Sequence, residues 1–224
     1  MRTPCCACRR TRPSSEGLPT LPFRVGVLIS GEGTNLQAIL DTVHGRDDIE
    51  VVCVASSRAA AAGLERARSA GVATAVFAIA DYDERGARDE ALGDWLAGHS
   101  VDLIVLAGFM EVLGGAFIRR FERRIVNVHP SLLPAFPGVR AIEQALAYGV
   151  RVTGVTVHFV EKDVDAGPVI LQAALELPSD PEIEDVRRRL QAVEHRLLPR
   201  ALRLIAAGAV AIDPGDLRRV RLSE

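Results

Sequence analysis

Arg24-Val-Gly-Val-Leu-Ile29 is a nearly continuous apolar run that passes directly into Ser30-Gly-Glu-Gly-Thr-Asn35. An apolar run without alternation is the mark of a strand covered on both faces, as in a parallel sheet. In the stretch 34–43 that follows, Leu36, Ile39, Leu40 and Val43 recur at helical spacing. Strand, glycine-bearing turn and helix, in this order, open a strand–helix–strand unit.

Outward from this unit the pattern repeats. Residues 50–55 read as a second buried strand, and the alanine-rich 59–70 as a helix stopped by Gly71. Residues 73–77 form a third strand and 83–97 a third helix carrying Leu92, Trp95 and Leu96. Residues 102–107 are the fourth and most hydrophobic strand, 115–121 a short helix, and 124–129 a fifth strand. The alternation predicts an α/β fold with a doubly wound, mostly parallel, Rossmann-like sheet and right-handed crossovers. Beyond it, 141–148 reads as helix. The strands 153–160 and 169–177 are expected to form an antiparallel hairpin across the turn-rich loop 161–168. Residues 181–207 make a long amphipathic helix in which Pro199 is a candidate kink.

The 224 residues are 48% hydrophobic and 25% charged, so the chain can bury a core without covalent staples. A net charge of −2 argues against broad binding to nucleic acid or anionic lipid, so any recognised anion belongs in a local pocket. No run approaches the ~18–20 apolar residues of a membrane span. Cys5, Cys6 and Cys8 crowd the start of the chain and Cys53 sits alone in an apolar run. That spacing makes neither a zinc site nor a disulfide framework, so a reducing, cytoplasmic setting and no metal are expected. Residues 1–22 are arginine-rich without an apolar centre and read as a leader outside the fold, not a secretory signal. The expected organisation is a leader at 1–22, a single domain at 23–210 and a C-terminal tail at 211–224.

Open α/β sheets bind ligands beyond the carboxyl ends of their strands, and three segments at such ends carry unusual residues. In Ser30–Asn35, Gly31 and Gly33 permit tight turning, and free amides at the helix start can hold a phosphate. The same residues also suit an ordinary strand-to-helix turn. Leu36 occupies the third glycine position of a dinucleotide fingerprint, and Ser56-Ser-Arg58 offers no acid for a ribose, so a monophosphate fits better than NAD or ATP. In Asn127-Val-His-Pro-Ser131, Asn127 and His129 project from one face of their strand. They suit oxyanion stabilisation and proton transfer, and equally a buried structural pair. In Asp163-Val-Asp-Ala-Gly-Pro168, Asp165 would orient and charge the imidazole if it reached His129. His158 lies mid-strand, where it could support such a site.

With these residues in view, the chain resembles the folate-dependent phosphoribosylglycinamide formyltransferases. The resemblance is carried by Ile29-Ser-Gly-Glu-Gly-Thr-Asn-Leu-Gln-Ala38, Val105-Leu-Ala-Gly-Phe-Met110, Asn127-Val-His-Pro-Ser-Leu-Leu-Pro134, Val157-His-Phe-Val160 and Asp165-Ala-Gly-Pro-Val-Ile-Leu-Gln172. It implies transfer of a formyl group from 10-formyltetrahydrofolate, as co-substrate, to the amine of glycinamide ribonucleotide, through a tetrahedral intermediate. Asn127 and His129 would stabilise the oxyanion, with Asp165 assisting proton transfer. Gly33, Thr34, Asn35 and Gln191 would surround the ribonucleotide phosphate, and Glu194 would hold the ribose hydroxyls. Met110, Glu111, Val112 and Leu113, together with Asn127, would line the folate pocket, with Arg85 near the folate tail. On this resemblance 23–121 is the phosphate-binding half and 122–210 the catalytic and folate-binding half. The partners implied are small molecules, with neither nucleic acid nor membrane, and the chain is a monomer or a homodimer.

One departure stands out, because the family usually carries Met-Arg where this chain has Met110-Glu111. Three rivals are expected to fit less well. Formyltetrahydrofolate hydrolases resemble this chain with a regulatory domain in front and a second His at the position of Pro130. Methionyl-tRNA formyltransferases add a C-terminal RNA-binding domain. A non-catalytic phosphate-binding module would lack one of Asn127, His129 or Asp165.

Overall fold

The computed structural model describes residues 21–223, so the leader expected at 1–22, with Cys5, Cys6 and Cys8, falls outside the described residues except for Leu21 and Pro22. From Phe23 the chain runs β1 (Phe23–Ile29), α1 (Thr34–Thr42), β2 (Ile49–Ser56), α2 (Gly63–Ser69), β3 (Ala73–Val76), α3 (Arg85–Gly98), β4 (Leu103–Leu106), α4 (Gly115–Arg120) and β5 (Ile125–His129). It continues with α5 (Ala141–Tyr148), β6 (Val152–Phe159), β7 (Val169–Glu176), α6 (Ile183–Ala206), β8 (Val210–Asp213) and β9 (Asp216–Leu222).

Seven strands form one sheet in the order β3-β2-β1-β4-β5-β6-β7. The first five in the chain pair in parallel, while β6 and β7 run antiparallel. Alternate side chains divide between two cores. Val25, Val27, Ile29, Val105, Val126 and Val128 pack with Leu36, Ile39, Leu64 and the α6 residues Val186, Leu190 and Leu198. Leu28, Ile104, Leu106 and Ile125 pack on the opposite face with Leu92 and Leu96 of α3 and Phe117 of α4. Both faces are therefore covered, which is why the strands read as unbroken apolar runs. Cys53 is buried, and burial pushes its thiol up to about 12, an unreactive core position.

One expectation needs correction. The helix expected at 59–70 begins only at Gly63, because Ala61 and Leu64 close i→i+3 turns onto Arg58 and Ala61 before the helix can propagate. The stretch that includes the expected C-terminal tail carries strands of its own. Val210–Asp213 and Asp216–Leu222 pair as an antiparallel hairpin around Pro214-Gly215. A Pro-Gly turn between strand-compatible runs is a hairpin signal. Pro199 sits inside α6, buried with Leu198 and Ala201.

Candidate active site

Strand order reverses between β1 and β4, and the carboxyl ends of β1, β4 and β5 meet at that edge, where open α/β sheets bind ligands. On β5, Val126 and Val128 are taken up by the core shared with α6, while Ile125 packs toward α3 and α4. Asn127 and His129 share the parity of Ile125 and so project from that second face. Antiparallel pairing sets His158 of β6 opposite Asn127, and Thr156 opposite His129. Cross-strand partners share a face, so Asn127, His129 and His158 form one patch.

Asp165 reaches this patch from the loop between β6 and β7. Its φ of 53° lies in the left-handed region, which Asp tolerates better than most residues. Its Oδ2 accepts from the Gly138 amide at 2.7 Å and lies 3.3 Å from His129 Nδ1. Its Oδ1 accepts from Asn127 Nδ2 at 3.3 Å and lies 3.5 Å from His158 Nε2. His129 is 5% exposed, and its Nε2 donates to the Phe136 carbonyl at 2.8 Å. Both ring nitrogens thus face acceptors, a carbonyl and a carboxylate, and a doubly protonated ring satisfies both. His158 Nε2 is 3.3 Å from Asn127 Nδ2 as well as near Asp165, so it can accept from the amide or donate to the carboxylate, one at a time.

Burial acts to raise the Asp165 pKa. It is outweighed by hydrogen bonds from His158 and the Gly138 amide and by the nearby charges of His129 and His158, which hold the carboxyl below its ordinary value. The carboxylate is therefore the resting form near neutral pH.

The second part of the site is the turn after β1. Gly33 precedes α1 with φ 70°, and a Cβ there would come within 2.6 Å of Gly63 Cα. Only glycine combines that dihedral with so close a backbone approach. Arg66 braces the turn by donating to the Glu32 carbonyl at 2.8 Å. From α6, Gln191 Nε2 donates to Thr34 Oγ1 at 2.8 Å, and Glu194 Oε2 accepts from Asn35 Nδ2 at 2.8 Å. Gln191 and Glu194 are three residues apart on one helical face, so both reach α1 together. Burial raises the Glu194 pKa, and the Asn35 hydrogen bond only partly opposes it.

The segment after β4 completes the edge. Met110 and Val112 are exposed, Glu111 is half-buried and Leu113 is buried. The Met110 amide donates to Ser30 Oγ at 2.8 Å, and Ser30 Oγ is 2.7 Å from Ser57 Oγ, so the turn after β1 and the segment after β4 are joined. Arg85 opens α3 and is exposed; no hydrogen bond or ion pair joins it to the other predicted site residues. Among the described residues no group of three His, Cys, Asp or Glu side chains is placed to hold a metal ion. Sequence reasoning missed the Phe136 carbonyl and the Gly138 amide, which are main-chain groups without a side-chain signature. The Pro and Gly content of 134–138 marks a loop there but not where it folds.

An amide, an imidazole and a carboxylate converge at the end of β5, beside a glycine turn suited to an anion at the end of β1. Fold and cluster together define an α/β protein with a buried polar cluster of a kind that suits acyl transfer. The chain belongs to the formyl transferase family, which residues 23–202 match. It is 40% identical to phosphoribosylglycinamide formyltransferase of Haemophilus influenzae over 190 residues, 84% of this chain and 90% of that protein. It is 46% identical to the trifunctional purine biosynthetic protein adenosine-3 of Bos taurus over 190 residues, 84% of this chain but only 19% of that protein. Its structure is similar to that of glycinamide ribonucleotide transformylase 1 from Symbiobacterium toebii, at TM-score 0.89 and 50% identity, covering 95% of this chain and all of the other. A formyltetrahydrofolate deformylase from Pseudomonas syringae is also similar, at TM-score 0.83 and 25% identity, with this chain covering 66% of it.

Proposed function

We propose that this chain transfers the formyl group of 10-formyltetrahydrofolate to the amine of glycinamide ribonucleotide, a step of purine synthesis. The carrying observation is Asp165, whose two oxygens reach His129, Asn127, His158 and the Gly138 amide from a separate hairpin loop. Formyl folate supplies the activated carbonyl: the glycinamide amine attacks the formyl carbon, and the tetrahedral intermediate collapses by breaking the bond to N10, which takes up a proton as tetrahydrofolate leaves. Asn127 Nδ2 and the charged ring of His129 donate to its oxygen as negative charge develops there. His129 releases the Phe136 carbonyl to do so, and Asp165 holds the ring in orientation while helping, through water, to remove the amine proton.

The glycine turn, Thr34 and Gln191 hold the ribonucleotide phosphate on the free amides at the start of α1. The Asn35 amide belongs to the same phosphate cradle, and Glu194, which accepts from the Asn35 side chain, receives the ribose hydroxyls. The exposed apolar side chains Met110 and Val112 edge the folate site, in keeping with a flat heterocyclic ligand. At Glu111 the acidic side chain reduces attraction for an anionic folate tail, and Arg85 lies near that tail.

The deformylase-like structure makes hydrolysis the competing reading, since water could take the place of the amine. Transfer is favoured because the transferase of Haemophilus influenzae is matched over nine-tenths of its length at 40% identity, against two-thirds at 25% for the deformylase. The deciding assay follows loss of formyl folate optically with and without glycinamide ribonucleotide. Turnover that depends on the amine is expected. Equal turnover without it would replace the transferase reading by the hydrolase.

A further inference from the structure

Arg88 of α3 is fully buried, at 0% exposure. A guanidinium carries five N–H donors and is placed in a core only where partners are arranged for it. Its Nε lies 2.8 Å from Asp89 Oδ1, yet among the described residues neither atom has a directed hydrogen-bond partner, so the contact is ionic and off-axis. Nη1 likewise has no hydrogen-bond partner. Its side-chain hydrogen bond and its ring contact lead to one place. Nη2 donates to the Val112 carbonyl in a long bond of 3.5 Å, and the guanidinium carbon stands 5.8 Å from the centre of the Phe109 ring. Asp89 Oδ2 accepts from the Gly114 amide at 2.7 Å, and a Cβ on Gly114 would lie 2.9 Å from that same oxygen.

The segment 109–114 is therefore fastened along its length. Ser30 holds the Met110 amide, Arg88 lies under Phe109 and the Val112 carbonyl, and Asp89 holds the Gly114 amide. Met110 and Val112 meanwhile turn outward, 63% and 53% exposed. We propose that the buried Arg88–Asp89 pair is the template that sets the backbone of 109–114, and that Arg88 is a positioning residue for folate binding although it never touches the folate. An incompletely satisfied buried ion pair specifies geometry more than it stabilises, and a loop that must present its main chain to a ligand needs that specification. The inference rests on the folate reading of this edge given above.

The test uses the full chain with Arg88→Met/Asp89→Asn, which removes both charges together and leaves an amide oxygen for Gly114. Arg88→Lys keeps the charge without the fork, and Phe109→Leu removes the ring while leaving the pair intact. Each is read by amide hydrogen exchange across 109–114 and by separate KM values for 10-formyltetrahydrofolate and the ribonucleotide. Faster exchange confined to this segment is expected, with the folate KM raised about tenfold or more and the ribonucleotide KM changed less than about twofold. Arg88→Lys is expected to fall between wild type and the double variant. Both KM values rising in parallel, or an unchanged folate KM, would overturn the proposal. Should the double variant not fold, Phe109→Leu alone carries the same two outcomes. If the wild type does not turn over formyl folate while the variants still loosen the segment, the folate reading falls and the template role stands.

Discussion

Asp165 Oδ2 lies 3.3 Å from His129 Nδ1, joining the hairpin loop after β6 to the carboxyl end of β5. The contact is fixed from behind by the Gly138 amide at 2.7 Å, which occupies the same oxygen and stops the carboxylate from rotating away. Asp165→Asn removes the charge while keeping a residue that accepts the φ of 53°. We expect kcat/KM to fall by about 10²–10³-fold, with ligand KM values close to wild type, as for a group acting mainly on the transition state. A loss confined to KM would assign Asp165 to binding instead.

The same carboxylate predicts a pH signature. Its folded pKa is depressed below the ordinary 3.8, so the stability it contributes is present above that value and is lost as pH falls through the folded pKa. The melting temperature of wild type should therefore exceed that of Asp165→Asn most clearly at neutral pH. The gap should close as pH drops below about 4. A gap that widens in acid would contradict the direction of the shift.

His158 is expected to matter less than His129. It faces Asn127 Nδ2 at 3.3 Å and Asp165 Oδ1 at 3.5 Å, and so would act only through groups to which the proposed mechanism gives the more direct roles. His158→Ala should cost about tenfold in kcat/KM, against about 10³-fold for His129→Ala. Equal losses in steady-state assays would mean that His158 carries a proton itself.

The parallel sheet was legible because β1, β2, β4 and β5 are buried on both faces, and such strands declare themselves as unbroken apolar runs. Asn127 and His129 could be placed on one face by the period of two alone. That Asp165 meets them depends on the register of β5 against β6, which pairs Asn127 with His158. No local pattern encodes that register. Arg88 was illegible for the opposite reason. An arginine near a helix start reads as solvated, and only the packing of 109–114 over it reveals a buried ion. The hairpin 210–222 was overlooked because its exposed, arginine-rich β9 offers little apolar alternation.

The two glycines of the turn after β1 separate by their surroundings. At Gly33 an alanine would need a φ of 70° and would place its Cβ 2.6 Å from Gly63 Cα, a contact with backbone that cannot yield cheaply. Gly33→Ala should destabilise the protein by about 2 kcal/mol or more and weaken ribonucleotide binding. A Cβ on Gly31 would meet nothing within 4 Å among the described residues, so Gly31→Ala should stay within about 0.5 kcal/mol of wild type in denaturant titrations. Equal effects at the two positions would mean that the turn is looser than its geometry implies.

Glu194 predicts the reverse of Asp165. Burial raises its folded pKa above the ordinary 4.5, and the single hydrogen bond from Asn35 does not restore it. A raised folded pKa means that the group's stabilising contribution is whole below the unfolded pKa and is lost as pH rises through the folded one. Glu194→Gln keeps an oxygen for the Asn35 amide and never ionises. Its melting temperature should match wild type near pH 4 and exceed it at neutral pH. Each kcal/mol of burial penalty moves the transition by about 2–4 °C in a protein of this size. The same substitution removes the charged acceptor proposed for the ribose hydroxyls, so the ribonucleotide KM should rise by about tenfold. Stability gained and affinity lost in one variant is the pattern of a carboxylate kept for its ligand. A Glu194→Gln protein that is less stable at neutral pH, or that binds the ribonucleotide unchanged, would remove Glu194 from the site.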